Sequence, residues 1–319
     1  LLIFTCSIKA QSLRGITGKS DTSYTTYKAY NDIKKALPDV PISWVLDKKT
    51  ASVSEERNIT YASIGKRSLK LDAFFPRKKS KSSRTAILII HGGGWRTGTR
   101  AQHIPLAQHL ANLGYVCFTP EYRLSTEALF PAGVHDLKAA LRWIRANAQK
   151  YHADTTKIAT LGFSAGGQLS ALLGCTGDNP TLEGNIGTLE HSTKVNAVVD
   201  IDGILAFIHP ESGEGDDSKS ISAATYWFGY SNFENPKIWH QASALTYANA
   251  QTPPTLFLNS REDRMHAGRT DYINILEKNK IYSEVRVFPD SPHSFCLFNP
   301  WFEATVKYVD DFLGKVLGR

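Results

Sequence analysis

Lys157 to Gly174 reads KIATLGFSAGGQLSALLG. The opening KIATL is a short apolar run of the kind that forms a buried strand, and the small and apolar residues from Ala165 onward read as a helix. Between them Gly162-Phe163-Ser164-Ala165-Gly166 has the form G-x-S-x-G, which sets a serine on a sharp turn from strand to helix. The two glycines let the chain turn without a Cβ clash, so Ser164 is predicted to stand exposed at the sheet edge with its oxygen free to attack. A helix starting at Ala165 offers a backbone N–H and a positive dipole end to developing negative charge.

The same alternation of strand and helix extends in both directions. TAILII (Thr85 to Ile90), GYVCFTP (Gly114 to Pro120), VNAVVDI (Val195 to Ile201), TLFLN (Thr255 to Asn259) and EVRVF (Glu284 to Phe288) read as strands. Helical patterns separate several of them, at QHIPLAQHLANL, at DLKAALRWIRANAQKY and from His266 to Asn279, and a last helix follows Pro300. Such spacing implies right-handed crossovers and a mainly parallel central sheet with helices on both faces, with ligands at the carboxyl ends of the strands. Residues 20–84 are expected to hold a capped N-terminal region and two antiparallel strands, around Ile59 to Tyr61 and Ser68 to Phe74. Residues 203–247 break the alternation with Gly, Ser, Asp and aromatics and read as an insertion over the site.

The chain has 319 residues, 42% hydrophobic and 21% charged, enough to bury a sizeable core in one domain. No repeat, heptad or long low-complexity tract is visible, which excludes fibrous, solenoid and disordered classes. Leu1 to Ala10, LLIFTCSIKA, resembles the tail of a secretory signal, so residues 11–319 are read as the single domain and the protein as exported, periplasmic or secreted. Lipidation through Cys6 is the weaker alternative. No other run is long enough for a transmembrane helix. Cys117, Cys175 and Cys296 form neither a disulfide framework nor a zinc-binding spacing, and Cys117 and Cys175 read as small buried hydrophobes. Of the net charge of +7, five charges fall in the Ser-rich run PRKKSKSSR at residues 76–84, which lacks interleaved aromatics. Nucleic acid is therefore not expected as a partner.

His91-Gly92-Gly93-Gly94-Trp95 follows the strand TAILII directly. Three successive glycines are costly in backbone entropy, and a loop whose N–H groups face a substrate oxygen accounts for them. Gly93, Gly94 and Ala165 are the expected oxyanion donors. A serine nucleophile needs a base, and His293 in DSPHSF, after the last strand, can return to Ser164, with His266 as its rival. The acid expected to orient the imidazole is Asp263 in NSREDRM after TLFLN, with Glu262 as the alternative, in the chain order Ser, acid, His. Asp200 and Asp202 follow an earlier strand and are passed over. No metal or organic cofactor is expected, because no ligand cluster is visible.

Together HGGGW, EYRL (Glu121 to Leu124), FPAGVHDLKAALRWIR, GFSAGG and SPHSF resemble the α/β-hydrolase carboxylesterases related to hormone-sensitive lipase, and more closely their carbohydrate-esterase relatives. The resemblance covers roughly residues 60–319. HSFCLFNPWF is similar to the α/β-fold pectin methylesterases of gut Bacteroidetes. The resemblance implies an α/β-hydrolase fold and a Ser-His-Asp ester hydrolase on a polysaccharide, with pectin methyl esters as first substrate and acetyl esters of pectin, xylan or related glycans as the alternative. A serine peptidase of the prolyl-oligopeptidase type shares the triad order but usually carries a large upstream domain. Phe163, where lipase-like members often carry an acidic residue, argues against a lipid substrate.

Loops after the strands carry Arg96, Arg100, Arg123, Arg261, Arg264 and Arg269. Guanidinium forks match carboxylates. Arg96, Arg123 and Arg264 are thus expected to meet an anionic glycan, with Trp95 and the aromatic insertion as sugar platforms. PRKKSKSSR precedes its strand and belongs at the opposite end of the sheet.

Overall fold

The computed structural model describes residues 16–318 apart from positions 20, 48, 79 and 81. The leader reading of residues 1–10 therefore lies outside the described residues. Strands β1 (Ser43–Trp44), β2 (Val53–Ile64), β3 (Arg67–Pro76), β4 (Arg84–Ile90) and β5 (Val116–Pro120) are followed by β6 (Ala153–Phe163), β7 (Ala197–Ile201), β8 (Thr255–Asn259), β9 (Ser283–Val287) and β10 (Phe298–Asn299). Eight of them form one sheet in the order β2-β3-β5-β4-β6-β7-β8-β9. The pairings from β5 through β4 to β9 are parallel, and β2 and β3 are attached antiparallel at one edge. β2 and β3 are the two antiparallel strands expected early in the chain, longer than the sequence suggested. β1 pairs with β10 in a separate two-stranded ladder.

Alternation along the strands divides the core into two layers. Ala86, Leu88 and Ile90 of β4 face the layer that holds α3 (Ala132–Ala146), α4 (Ala148–Tyr151), α5 (Ala165–Cys175) and α8 (Arg269–Lys278). Ile87 and Ile89 face the layer that holds α1 (Thr26–Ala36), α2 (Ile104–Asn112) and α9 (Phe302–Leu317). Both faces of the sheet are covered, which is why the central strands are near-continuous apolar runs.

Residues 203–247 contain α6 (Ala223–Phe228) and α7 (Pro236–Ala242). Here the structure corrects the sequence reading. Phe207, Trp227, Phe228 and Trp239 are completely or almost completely buried and pack on one another at ring separations of 4.7 to 6.0 Å. They form the insertion's own core rather than sugar platforms, because their area is far more favourably removed from water than displayed to it. Cys117, Cys175 and Cys296 are free, and Cys117 and Cys296 are buried. No helix among the described residues is long and apolar enough to cross a membrane.

Candidate active site

Ser164 sits between β6 and α5 with φ 57° and ψ −122°, a conformation that side chains rarely adopt. Its flanking glycines are sterically obligatory. A Cβ on Gly162 would lie 1.9 Å from the Gly166 carbonyl oxygen, and one on Gly166 would lie 2.1 Å from that of Ile90. The Ser164 N–H donates to the Ile201 carbonyl at 2.8 Å, which ties the turn to the end of β7. This is the turn expected from G-x-S-x-G.

His293 reaches the serine from the loop after β9. Its Nε2 lies 2.9 Å from Ser164 Oγ, and the ring rests against Phe163 at 4.9 Å. The other ring nitrogen, Nδ1, lies 2.9 Å from Asp202 Oδ2. The expected acid, Asp263, is not there. It is exposed on a short 3-10 turn (Asp263–His266), and Glu262 lies 3.7 Å from Arg261. The carboxylate beside His293 comes from the preceding crossover instead. Asp202 follows β7, the neighbour of the serine strand, and a φ of 50° turns its fully buried side chain toward His293. An acid one strand nearer the nucleophile can reach the imidazole directly, whereas Asp263 is carried outward by its turn.

Asp202 is firmly held. Its N–H donates to Leu258 O at 3.0 Å, and Oδ1 accepts from the Ser260 N–H at 2.8 Å. His266, the rival base, lies with Nε2 3.3 Å from Oδ1, on the far side of the carboxylate from His293. Burial alone would raise the Asp202 pKa, but the imidazoles of His266 and His293 and the hydrogen bond from Ser260 outweigh it and hold the group at about 2. A carboxylate charged across the working range can orient His293 and stabilise its protonated form.

The glycine loop curls beside the serine. Gly93 has φ 126° and Gly94 φ 57°, and the Gly93 carbonyl accepts from the N–H groups of Arg96 and Thr97, which points the Gly94 N–H of the same peptide unit the other way. A Cβ on Gly93 would lie 2.3 Å from Thr97 O. The Gly92 N–H is engaged by Gln102 Oε1 at 2.7 Å, and Tyr122 Oη donates to His91 O at 3.1 Å. Gly94 and Ala165 border, with Ser164 and His293, a first cavity of about 140 Å³. Gly93 and Gly94 border a second cavity of about 220 Å³ that adjoins the same serine and histidine. The structure thus gathers Ser164, His293, Gly93, Gly94 and Ala165 as the sequence suggested.

The expected substrate contacts divide. Trp95 borders the first cavity, but it is almost fully buried, donates to Gln168 Oε1 at 2.9 Å and stacks on Trp227 at 4.9 Å. Arg96 borders the second cavity, with its Nε donating to Asp21 at 2.8 Å and its guanidinium 3.8 Å above the Tyr226 ring. Arg123 is not a substrate contact. It grips Asp136, which is fully buried, through Nε at 2.9 Å and Nη2 at 2.8 Å, because a buried carboxylate demands a charged partner. Arg100 is likewise paired, with Asp72 and Glu121. Arg264 borders the first cavity together with Glu214, whose carboxyl pKa is pushed up by burial.

The missed residue, Asp202, had a signal. AVVDID ends a strand beside the serine strand with two acids, and every strand end in such a sheet is a candidate position. Asp200 points into the core, where Oδ1 accepts from the Gly203 N–H at 2.7 Å. Among the described residues no group of three or more His, Cys, Asp or Glu is placed to hold a metal ion.

Comparison with known proteins agrees with this fold. Residues 71–268, more than half of the chain, match the BD-FAE family model. "Probable carboxylic ester hydrolase LipM" of Mycobacterium tuberculosis is 31% identical over 241 residues, which cover 71% of this chain and 53% of that protein. The chain thus corresponds to about half the length of this relative. A truncated carbohydrate esterase from gut microbiota superposes with a TM-score of 0.65 at 23% identity, over 82% of this chain and 96% of that one. Esterase 2 of Thermogutta terrifontis superposes with a TM-score of 0.68 at 24% identity, over 85% and 97%. The architecture is the α/β-hydrolase fold.

Proposed function

Because the chain belongs to the BD-FAE family, we propose that it is a serine carboxylesterase acting on an ester carried by a polysaccharide. The observation that carries this reading is the continuous hydrogen-bonded chain from Ser164 Oγ through His293 to Asp202, with 2.9 Å at each step. The names of the relative and of the two superposed proteins point the same way.

In the proposed reaction Ser164 Oγ attacks the ester carbonyl while His293 Nε2 takes its proton. Asp202 accepts from Nδ1–H and stabilises the imidazolium without taking the proton itself. The oxygen of the tetrahedral adduct faces the N–H groups of Gly93, Gly94 and Ala165. Collapse breaks the bond to the leaving alcohol, which receives the proton from His293. Water, deprotonated by the same imidazole, then releases the carboxylic acid and frees the serine.

The finer substrate readings are the methyl ester of pectin and, second, an acetyl ester of pectin, xylan or a related acetylated glycan. Side-chain pairing favours the second, on a neutral glycan such as xylan. Arg96, Arg100 and Arg123 all bind carboxylates of the protein itself, and Glu214 borders the first cavity beside the serine. Export, read from residues 1–10, fits a polymeric substrate that stays outside the cell. The deciding experiment measures methanol and acetate released from citrus pectin and from acetylated xylan, with Ser164→Ala as the control. Acetate without methanol selects the second reading and methanol from pectin the first. Release of neither by a protein that is folded and stable rejects both.

A further inference from the structure

We propose that the glycan chain lies in a groove running from Ser164 across the N-terminal segment, with Trp44 and Tyr27 as its distal sugar platform and a neutral glycan as its occupant. This rests on the esterase reading above. Two cavities meet at Ser164 and His293, and they differ in extent. The first, of about 140 Å³, is walled by Trp95, Ile204, Ala223 and Met265 and suits the small half of the ester. The second shares Tyr24 and Thr97 with a groove of about 470 Å³. A polymer continues beyond its esterified sugar, and the larger groove is the side with room for the rest of the chain.

The groove has the chemistry of a sugar site. Trp44 borders it, half-buried, with its ring stacked on Tyr30 at 4.7 Å and edge-on to Phe298 at 5.3 Å. Tyr27 lies 6.4 Å beyond, nearly parallel to Trp44 at 9° and 67% exposed, so the aromatic surface extends into solvent past the groove. Aromatic rings of this kind bind the apolar faces of pyranose rings, while Thr25, Thr26, Thr99 and Gln102 on the walls offer partners for hydroxyls. Charge narrows the class. Among the described residues bordering the groove the one charged side chain is Asp47, with Arg57 3.9 Å away, and Arg96 of the adjoining cavity is held by Asp21, so the walls present no unpaired cation to a polyanion.

The platform is coupled to the catalytic loop. Trp44 pairs with Phe298 across the β1–β10 ladder, and β10 follows His293 by five residues. Gln102 both borders the groove and holds the Gly92 N–H of the oxyanion loop. A sugar seated on Trp44 is therefore held at a set distance from the reacting atoms, as positioning of a polymeric substrate requires.

The test combines turnover and binding. For acetylated xylo-oligosaccharides, kcat/KM is expected to climb with length from dimer to hexamer. Trp44→Ala and the solvent-exposed Tyr27→Ala are each expected to lower hexamer turnover about tenfold more than p-nitrophenyl acetate turnover, the size of one aromatic contact. Unmodified xylohexaose should bind Ser164→Ala more tightly than hexagalacturonate does, and lose that binding when Trp44→Ala is added. Length-independent kcat/KM, or equal losses on both substrates in both variants, overturns the groove. Tighter binding of hexagalacturonate overturns its neutral occupant. Xylohexaose binding that depends on Trp44 without hydrolysis of any ester retains the groove and rejects the esterase reading instead.

Discussion

Asp202 Oδ2 stands 2.9 Å from His293 Nδ1, although 91 residues separate the two and an acid much nearer in sequence, Asp263, was available. The pairing depends on two adjacent parallel strands, β6 and β7, ending at the same edge of the sheet. From that edge Asp202, with φ 50°, directs its carboxylate to the imidazole that stands beside the serine.

The first prediction separates the two acids. Asp202→Asn leaves a neutral amide against Nδ1 and is expected to lower kcat by about 10⁴, as loss of the orienting carboxylate does in a serine triad. Asp263→Asn, on an exposed turn, is expected to change kcat less than about threefold. Steady-state assays on p-nitrophenyl acetate decide between them, and the opposite ranking would return the role to Asp263.

Ser164→Ala and His293→Ala should each remove nearly all activity, and the double variant should be scarcely worse than either single one. Residues acting as one unit give strongly non-additive losses. Thermal melts should show both variants folded, since neither change adds volume. Losses that multiply in the double variant would mean that the two side chains act independently.

Arg123→Gln tests a structural role. It leaves the Asp136 carboxylate buried with its charged partner gone, and the expected cost is about 3 kcal/mol of stability. Urea midpoints should fall, while the ratio of pectin to p-nitrophenyl acetate turnover in the folded protein stays that of the wild type. A selective loss on pectin with unchanged stability would instead make Arg123 a substrate contact.

Buried histidines set an acid limb of stability. Burial lowers the pKa of His91 to about 4 and that of His103 to about 3. The unfolded chain thus binds protons on these groups below about pH 6.5 while the folded chain does not. Stability therefore falls as pH drops from about 6.5 toward 4. Neither ring nitrogen of His103 has a protein hydrogen-bond partner among the described residues, and its ring packs edge-on to Phe163 at 6.3 Å. His103→Phe should keep that contact and shrink the difference in urea midpoint between pH 7.5 and pH 5. An unchanged difference would remove His103 from the acid limb.

Gly166→Ala should prevent the nucleophile turn from closing, because its Cβ would meet the Ile90 carbonyl oxygen at 2.1 Å and backbone cannot yield as a flexible side chain does. Soluble yield and melting temperature are both expected to fall sharply. A well-folded, fully active Gly166→Ala protein would contradict this account of the turn.

What could be read along the chain was what is local. The parallel strands from β4 onward and the crossover helices between them follow from apolar period and length, and Ser164 with its two glycines is a motif whose geometry is set within five residues. The glycine loop after β4 is legible for the same reason, since only a strained turn accounts for three glycines there. Tertiary structure decided whatever depends on which strand ends lie side by side. Asp202 and Asp263 both follow strands, and only the order β6-β7-β8 and the turn after each strand determine that the first reaches His293. Arg123 and Arg264 read alike as loop cations, yet one meets a buried carboxylate and the other faces the cavity. Trp227 and Trp239 are aromatic in either setting, and burial against one another turned expected platforms into a core. The short ladder between Trp44 and Phe298 joins residues some 250 positions apart, and no local pattern encodes a partner at that distance. Side-chain chemistry belongs to the residue, but its role depends on its neighbours, and distant neighbours are chosen by packing.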